Sequence, residues 1–145
     1  MPNFHPLDQA DMEALLARNH VGRLAYSFHD EVDIEPLHYV YADGVLYART
    51  SPGHKLQTLA HHRWVAFEVD EIEGPYDWRS VIVHGSVYLV EPGGTPEAHA
   101  AYERTVSRLH AVVPLLFDTD DPAPHRTVLF RIHVDRMTGR VASSS

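Results

Sequence analysis

The chain has no cysteine. Disulfides, thiolate zinc sites and cysteine nucleophiles are therefore excluded. It also has no apolar run approaching the ~20 residues of a membrane-spanning helix. Its N-terminus has no basic segment followed by an apolar stretch, so no signal peptide is expected and the cytoplasm is the expected location. Positive charge is scarce: 12 Lys and Arg stand against 20 Asp and Glu, a formal net charge of −8. Nucleic acids and anionic membranes reward basic surfaces, so neither is expected as a partner. There is no internal repeat, and the only low-complexity stretch is Ser143-Ser144-Ser145. A GxSxG nucleophile motif and an HExxH metal helix are both absent.

What is present is 145 residues, 44% hydrophobic and 22% charged, the balance of one globular domain with a modest core. A first helix is predicted over residues 8–19, with Asp8 as N-cap, Leu7 and Met12 as a hydrophobic staple, and Leu15 and Leu16 on the apolar stripe. Leu24, Tyr26 and Phe28 alternate with smaller or polar residues and predict a strand. A second strand runs from Asp33 to Tyr41. Asp43-Gly44 is a hairpin turn, and Val45 to Arg49 returns as a third strand. Trp64 to Val69 is a fourth. Glu71 to Asp77 reads as a loop, and Trp78 to Glu91 as the longest strand. Thr95-Pro96 opens a helix to about His110, and Thr127 to Asp135 is the last strand. The sum is about six strands and three helices. Hairpin-length connections predict antiparallel pairing, and strands of this kind close into a barrel. The alternation of a parallel, dinucleotide-binding sheet is absent.

The third helix of that sum is short and opens at Ser51-Pro52. It follows Arg49 and Thr50, with His54 and Lys55 in its first turn. A helix start has unpaired N–H groups and the positive end of the dipole. Two cations and two hydroxyls beside it make a candidate phosphate site; the alternative is a simple capped helix. Trp78-Arg79-Ser80, at the start of the long strand, offers an aromatic face and donors, or else rim packing. Glu35-Pro36-Leu37-His38 places a proline within a strand. That implies an edge, either open to a ligand or protected against aggregation. Histidine is abundant, 12 residues in all. Yet His61 and His62 point about 100° apart on a helix and cannot share a ligand face. Solvated histidines account for them better than a metal or haem site does.

Taken in order, these pieces resemble a family. The pattern comprises Asn19 to Ala25, Pro36 to Tyr39, Asp43 to Tyr47, Ser51 to Lys55, Val65 to Asp70, Trp78 to Gly85, Arg131-Ile132 and Thr138 to Arg140. It is similar to the pyridoxamine 5′-phosphate oxidase-like FMN-binding split barrels, nearest the branch that includes nitroimidazole-resistance proteins. The resemblance implies an antiparallel six-stranded split barrel and a homodimer with FMN at the subunit interface. It places Arg49, Thr50, Ser51 and Lys55 at the FMN phosphate and the backbone of Glu35, Pro36, Leu37 and His38 at the flavin ring. Trp78, Arg79 and Ser80 approach from beside the phosphate or from the other subunit. His38 is the candidate proton donor. Arg49 stands where that branch often has histidine, and His61-His62 replaces a usual Asn-Pro. The C-terminal extension that contacts substrate phosphate in true pyridoxamine phosphate oxidases is missing, so vitamin B6 oxidation is not expected. The implied function is an FMN-dependent oxidoreductase acting on a small substrate. A flavin-binding module without turnover, a haem-binding barrel and a deazaflavin F420-binding barrel are the alternatives.

Overall fold

A computed structural model of the chain describes residues 1–53, 59 and 63–144. Among the described residues are seven strands and two helices: β1 (Pro2–Pro6), α1 (Gln9–Arg18), β2 (Val21–Phe28), β3 (Glu31–Ala42), β4 (Val45–Thr50), β5 (Trp64–Gly74), β6 (Asp77–Val90), α2 (Pro96–His110) and β7 (Val128–Ser144). All pairings are antiparallel. The strand order is β1-β7-β4-β3-β2-β5-β6, and β6 pairs back onto β7. Six strands thus close a ring, and β1 joins it as an extra strand on β7.

Alternation builds the core. Val81, Val83 and Val87 on β6, Phe130 and Ile132 on β7, and Leu46 and Ala48 on β4 all point into the ring. The opposite parity of β4 places Tyr47 outside, where it packs with Val90, Leu109, Val113 and Leu116 beneath α2 and the segment that follows it. Asp43 and Gly44, both at positive φ (56° and 75°), turn β3 into β4 as the sequence predicts.

Three boundaries differ from the sequence reading. The predicted loop over Glu71 to Asp77 is mostly strand, because β5 runs to Gly74 and turns through Pro75 and Tyr76 alone. The last strand continues past Asp135 to Ser144, held by pairing with β6 and β1. The strand β1 was not anticipated, since five residues with two prolines carry no alternation signal. The predicted short helix after Ser51 falls on residues outside those described, apart from Leu59, which is buried in the core.

Helix α1 forms where predicted. The Asp8 side chain accepts a hydrogen bond from the Asp11 amide at 2.8 Å. Carbonyls of its last turn are satisfied from elsewhere: the Tyr39 hydroxyl donates to Leu16 O at 2.7 Å, and Asn19 Nδ2 to Leu15 O at 2.9 Å. Burial pushes the Tyr39 phenol far above its ordinary range. Glu71 on β5 ties down the helix end, accepting from Arg18 Nε and Nη2 (2.8 and 2.7 Å) and from Asn19 Nδ2 (2.7 Å). These bonds, led by Arg18, pull the Glu71 carboxyl from 4.5 to about 2. Its folded pKa is below the unfolded one. The stabilisation is therefore complete above pH 4.5 and is lost as pH falls toward 2. Solvent screening limits it to ~1 kcal/mol or less. Glu71→Gln should accordingly flatten the acid limb of stability measured by urea unfolding across that range. An unchanged acid limb would exclude the linkage.

Candidate functional site

The most informative local feature is an edge. Strand β3 pairs with β2 from Glu31 to His38, but β4 covers its other side only from Tyr39 onward. The Tyr39 amide donates to His20 O at 3.0 Å, so odd-numbered residues of β3 direct their backbone groups toward β2. By strand periodicity, Ile34, Pro36 and His38 direct theirs toward an edge that no strand among the described residues covers. Pro36 therefore stands where its missing N–H removes no ladder bond. Glu35 and Pro36, together with Ser51, Pro52, Gly53, His125 and Arg126, line a cleft of about 340 Å³ along this edge. Thr50, adjoining it, is fully buried, and its hydroxyl has no hydrogen-bond partner among the described residues. Leu37 has its side chain in the core, so only its backbone is near the edge.

Arg49 is placed differently from the sequence expectation. It lies on the outer face of β4 beneath the segment linking α2 to β7, and it is buried. Its Nη1 and Nη2 donate to the two carboxylate oxygens of Asp121 at 2.6 and 2.7 Å. The same carboxylate accepts from the Phe117 and Ala123 amides, both at 2.9 Å. Asp121 thus folds its own loop and fastens it to the barrel, and the Arg49 guanidinium holds its carboxyl well below the usual range. Each terminal nitrogen of Arg49 donates to this pair, and Nη1 also reaches the Arg126 carbonyl oxygen at 3.5 Å.

His38 is exposed on the same outer side. Burial, then the charges of Arg126, Arg49 and His20, push its imidazole below 6.5. At neutral pH it is uncharged and able to accept a proton. His38 and Arg49 share a second cleft, of about 440 Å³, with Arg126 and apolar side chains of the 112–123 loop.

Trp78 and Arg79 lie elsewhere in this chain. They line a separate small cleft with Glu71, Asp77 and Val141. Trp78 Nε1 donates to Pro75 O at 3.1 Å, and Arg79 lies 3.8 Å from Glu71. The Ser80 hydroxyl donates to Glu68 at 2.8 Å. Burial, and a hydrogen bond shared with Asp70, push the Glu68 carboxyl up, while Ser80 and Arg23 oppose them. Lys55, His54, His61 and His62 lie outside the described residues. Among the described residues, no three His, Asp or Glu side chains are grouped to hold a metal ion. Nor is any described helix long and apolar enough to cross a membrane.

Sequence reasoning missed Asp121, His125 and Arg126. The stretch from Asp118 to Pro124 carries only turn residues. The partner of Asp121 is 72 positions away, where no local pattern reaches.

A ring of six antiparallel strands with one strand edge left open beside a polar cleft defines a split barrel. The pyridoxamine 5′-phosphate oxidase family model matches residues 8–141, and the chain belongs to that family. Among solved structures it is similar to a FAD-binding protein from Mesorhizobium loti, at 28% identity over 99% of this chain and 100% of that one, with a TM-score of 0.78. A FAD-binding protein from Mycobacterium smegmatis matches at 22% identity, 95% and 98% coverage and a TM-score of 0.67. A protein assigned to 5-nitroimidazole antibiotic resistance from Bacteroides thetaiotaomicron matches at 16%, 100% and 93% coverage and a TM-score of 0.68. The latter two speak for the fold alone. A search of curated proteins returned no match.

Proposed function

We propose that this protein binds FMN in the cleft beside β3 and is an oxidoreductase acting on a small substrate. The observation that carries this reading is the uncovered edge over Ile34 to His38, facing Ser51 to Gly53 and Arg126 across one cleft. The backbone groups of Ile34, Pro36 and His38 point to this edge and can pair with a heteroaromatic ring edge. The buried, unpartnered Thr50 hydroxyl next to it is the kind of group that a ligand oxygen satisfies. Family membership and the FAD-binding relative at 28% identity support a flavin.

In this reading Thr50, Ser51 and Lys55 hold the phosphate, and Pro36 and His38, whose backbone groups face the open edge, offer them to the ring. Arg49 serves the site through Asp121, as a positioning residue. A bound flavin would supply the electron chemistry, and the protein supplies binding and orientation. Neutral His38 is placed to take up a proton.

The reading also requires a homodimer. Trp78, Arg79 and Ser80 are remote from the cleft within one chain, and a second copy would bring its own set to it. The barrel face around a cleft of about 500 Å³ offers apolar surface for this contact. There Val32 is 76% exposed and Trp64 65%. A permanent contact should bury ~2,000 Å² or more in total. Sedimentation of a monomer at micromolar concentration would remove the shared site.

Flavin titration tests the rest. FMN, FAD and riboflavin are added separately, and quenching of flavin fluorescence is recorded. Lys55→Ala should weaken FMN binding about 10- to 150-fold, the worth of one charge-assisted hydrogen bond. Riboflavin lacks the phosphate and should respond little to the change. Equal losses for both ligands would remove Lys55 from the phosphate site. Reoxidation of the reduced, loaded protein by added acceptors separates an oxidoreductase from a binding module without turnover.

A further inference from the structure

The cleft of about 440 Å³ between the barrel and the 111–126 segment is unlike the neighbouring one. Its wall is apolar: Val112, Pro114, Leu115, Pro122 and Ala123. Of its polar groups, His125 and Arg126 also line the neighbouring cleft beside β3. Arg49 lines the apolar-walled cleft too, but donates to Asp121. The Arg126 side chain makes no ion pair among the described residues, in a protein whose net charge is −8. His38 beside it adds a single neutral donor and acceptor.

The wall is also fixed in place. Asp121 takes two hydrogen bonds from its own loop and two from Arg49. Val113 and Leu116 of the same segment are buried against Leu109 and Tyr47. Successive turns at Leu116, Asp118, Asp121 and Arg126 satisfy their amides within the loop. An apolar surface held this firmly beside a cation with no ion pair among the described residues is a preformed pocket of ordinary ligand size.

We infer that this pocket receives the second substrate of the flavin site, a compact apolar carboxylate whose body lies on the 112–123 wall and whose anionic group meets Arg126. The inference rests on the function proposed above and specifies the substrate class for it. The size admits a substituted ring, and Arg126, without an ion pair among the described residues, selects for a single negative charge.

Benzoate, benzamide and acetate serve as probes, added to the flavin-loaded protein while backbone amide shifts are followed by NMR. Benzoate should move amides of residues 112–126. Benzamide should bind at least tenfold more weakly, and acetate should not register. Arg126→Gln should abolish the preference for benzoate over benzamide. Leu115 is exposed, so Leu115→Asp should not disturb folding. It should weaken benzoate at least tenfold and leave the FMN affinity within about twofold. The proposal falls if benzoate shifts map outside 112–126. It falls equally if Arg126→Gln keeps the preference or Leu115→Asp leaves benzoate unaffected. Failure of the flavin reading is separately visible, because fluorescence titration reports on the 51–53 cleft and the amide shifts report on the loop.

Discussion

Phe67→Ala should destabilise the protein by about 3–5 kcal/mol, read as a lower urea midpoint at unchanged slope. The side chain is fully buried and stands edge-on to Tyr39, with ring centroids 5.2 Å apart. Its loss would leave a cavity where α1, β2, β3 and β5 meet. The same ring explains Gly22, where a Cβ would lie 2.2 Å from a Phe67 ring carbon. Gly22→Ala is therefore expected to destabilise mainly through that ring, with a smaller part from the Glu68 carbonyl oxygen at 3.1 Å. Combined with Phe67→Leu, it should cost less than the two changes added separately. Strict additivity would show that something other than the ring demands glycine there. The contact matters for function because β2 supports the open edge of β3 along its whole length.

Gly85→Ala should be damaging for a different reason. A Cβ at Gly85 would meet the His133 carbonyl oxygen at 2.0 Å, a backbone atom with no freedom to step aside. The position is also where the β6–β7 register shifts: His84 pairs with Arg136 and Gly85 with Val134, leaving Asp135 as the extra residue of a bulge. The expected loss is at or beyond the top of the ~1–3 kcal/mol typical of overpacking. A loss well under ~1 kcal/mol would show that the bulge relaxes. Asp135, Arg136 and His84 all line the cleft proposed for the dimer contact. Any folded Gly85→Ala protein should therefore also associate more weakly.

Elements with a strong local signal were legible in the sequence. Asp8 and Thr95 cap their helices as predicted, each accepting from the amide three residues on. The alternation of Val81, Val83 and Val87 fixed which face of β6 is inward. The hairpin at Asp43-Gly44 set the β3–β4 register. Features created by distant pairing were not legible. Nothing around Met137 or Arg140 alternates strongly enough to extend β7, and the extension exists because β1 and β6 lie on either side of it. Arg49 was read for its charge. Its actual surroundings are decided by a loop 72 residues later, and a buried arginine looks like an exposed one in a one-dimensional pattern. Pro36 was correctly read as marking an edge. Which side of the strand is open required the position of β4.

The place of β7 has a kinetic consequence. It is made after every other strand, yet it is the neighbour of β1, β4 and β6. Its pairing with β1 joins Pro2 to Ser144. Until residues 128–144 have left the ribosome, β4 and β6 each lack a flanking strand and the ring stands open. Contacts of such long sequence separation slow folding toward the millisecond-to-second range. During that interval two unpaired edges and half a core are exposed at once, and the newly made chain is then most vulnerable to association with its neighbours.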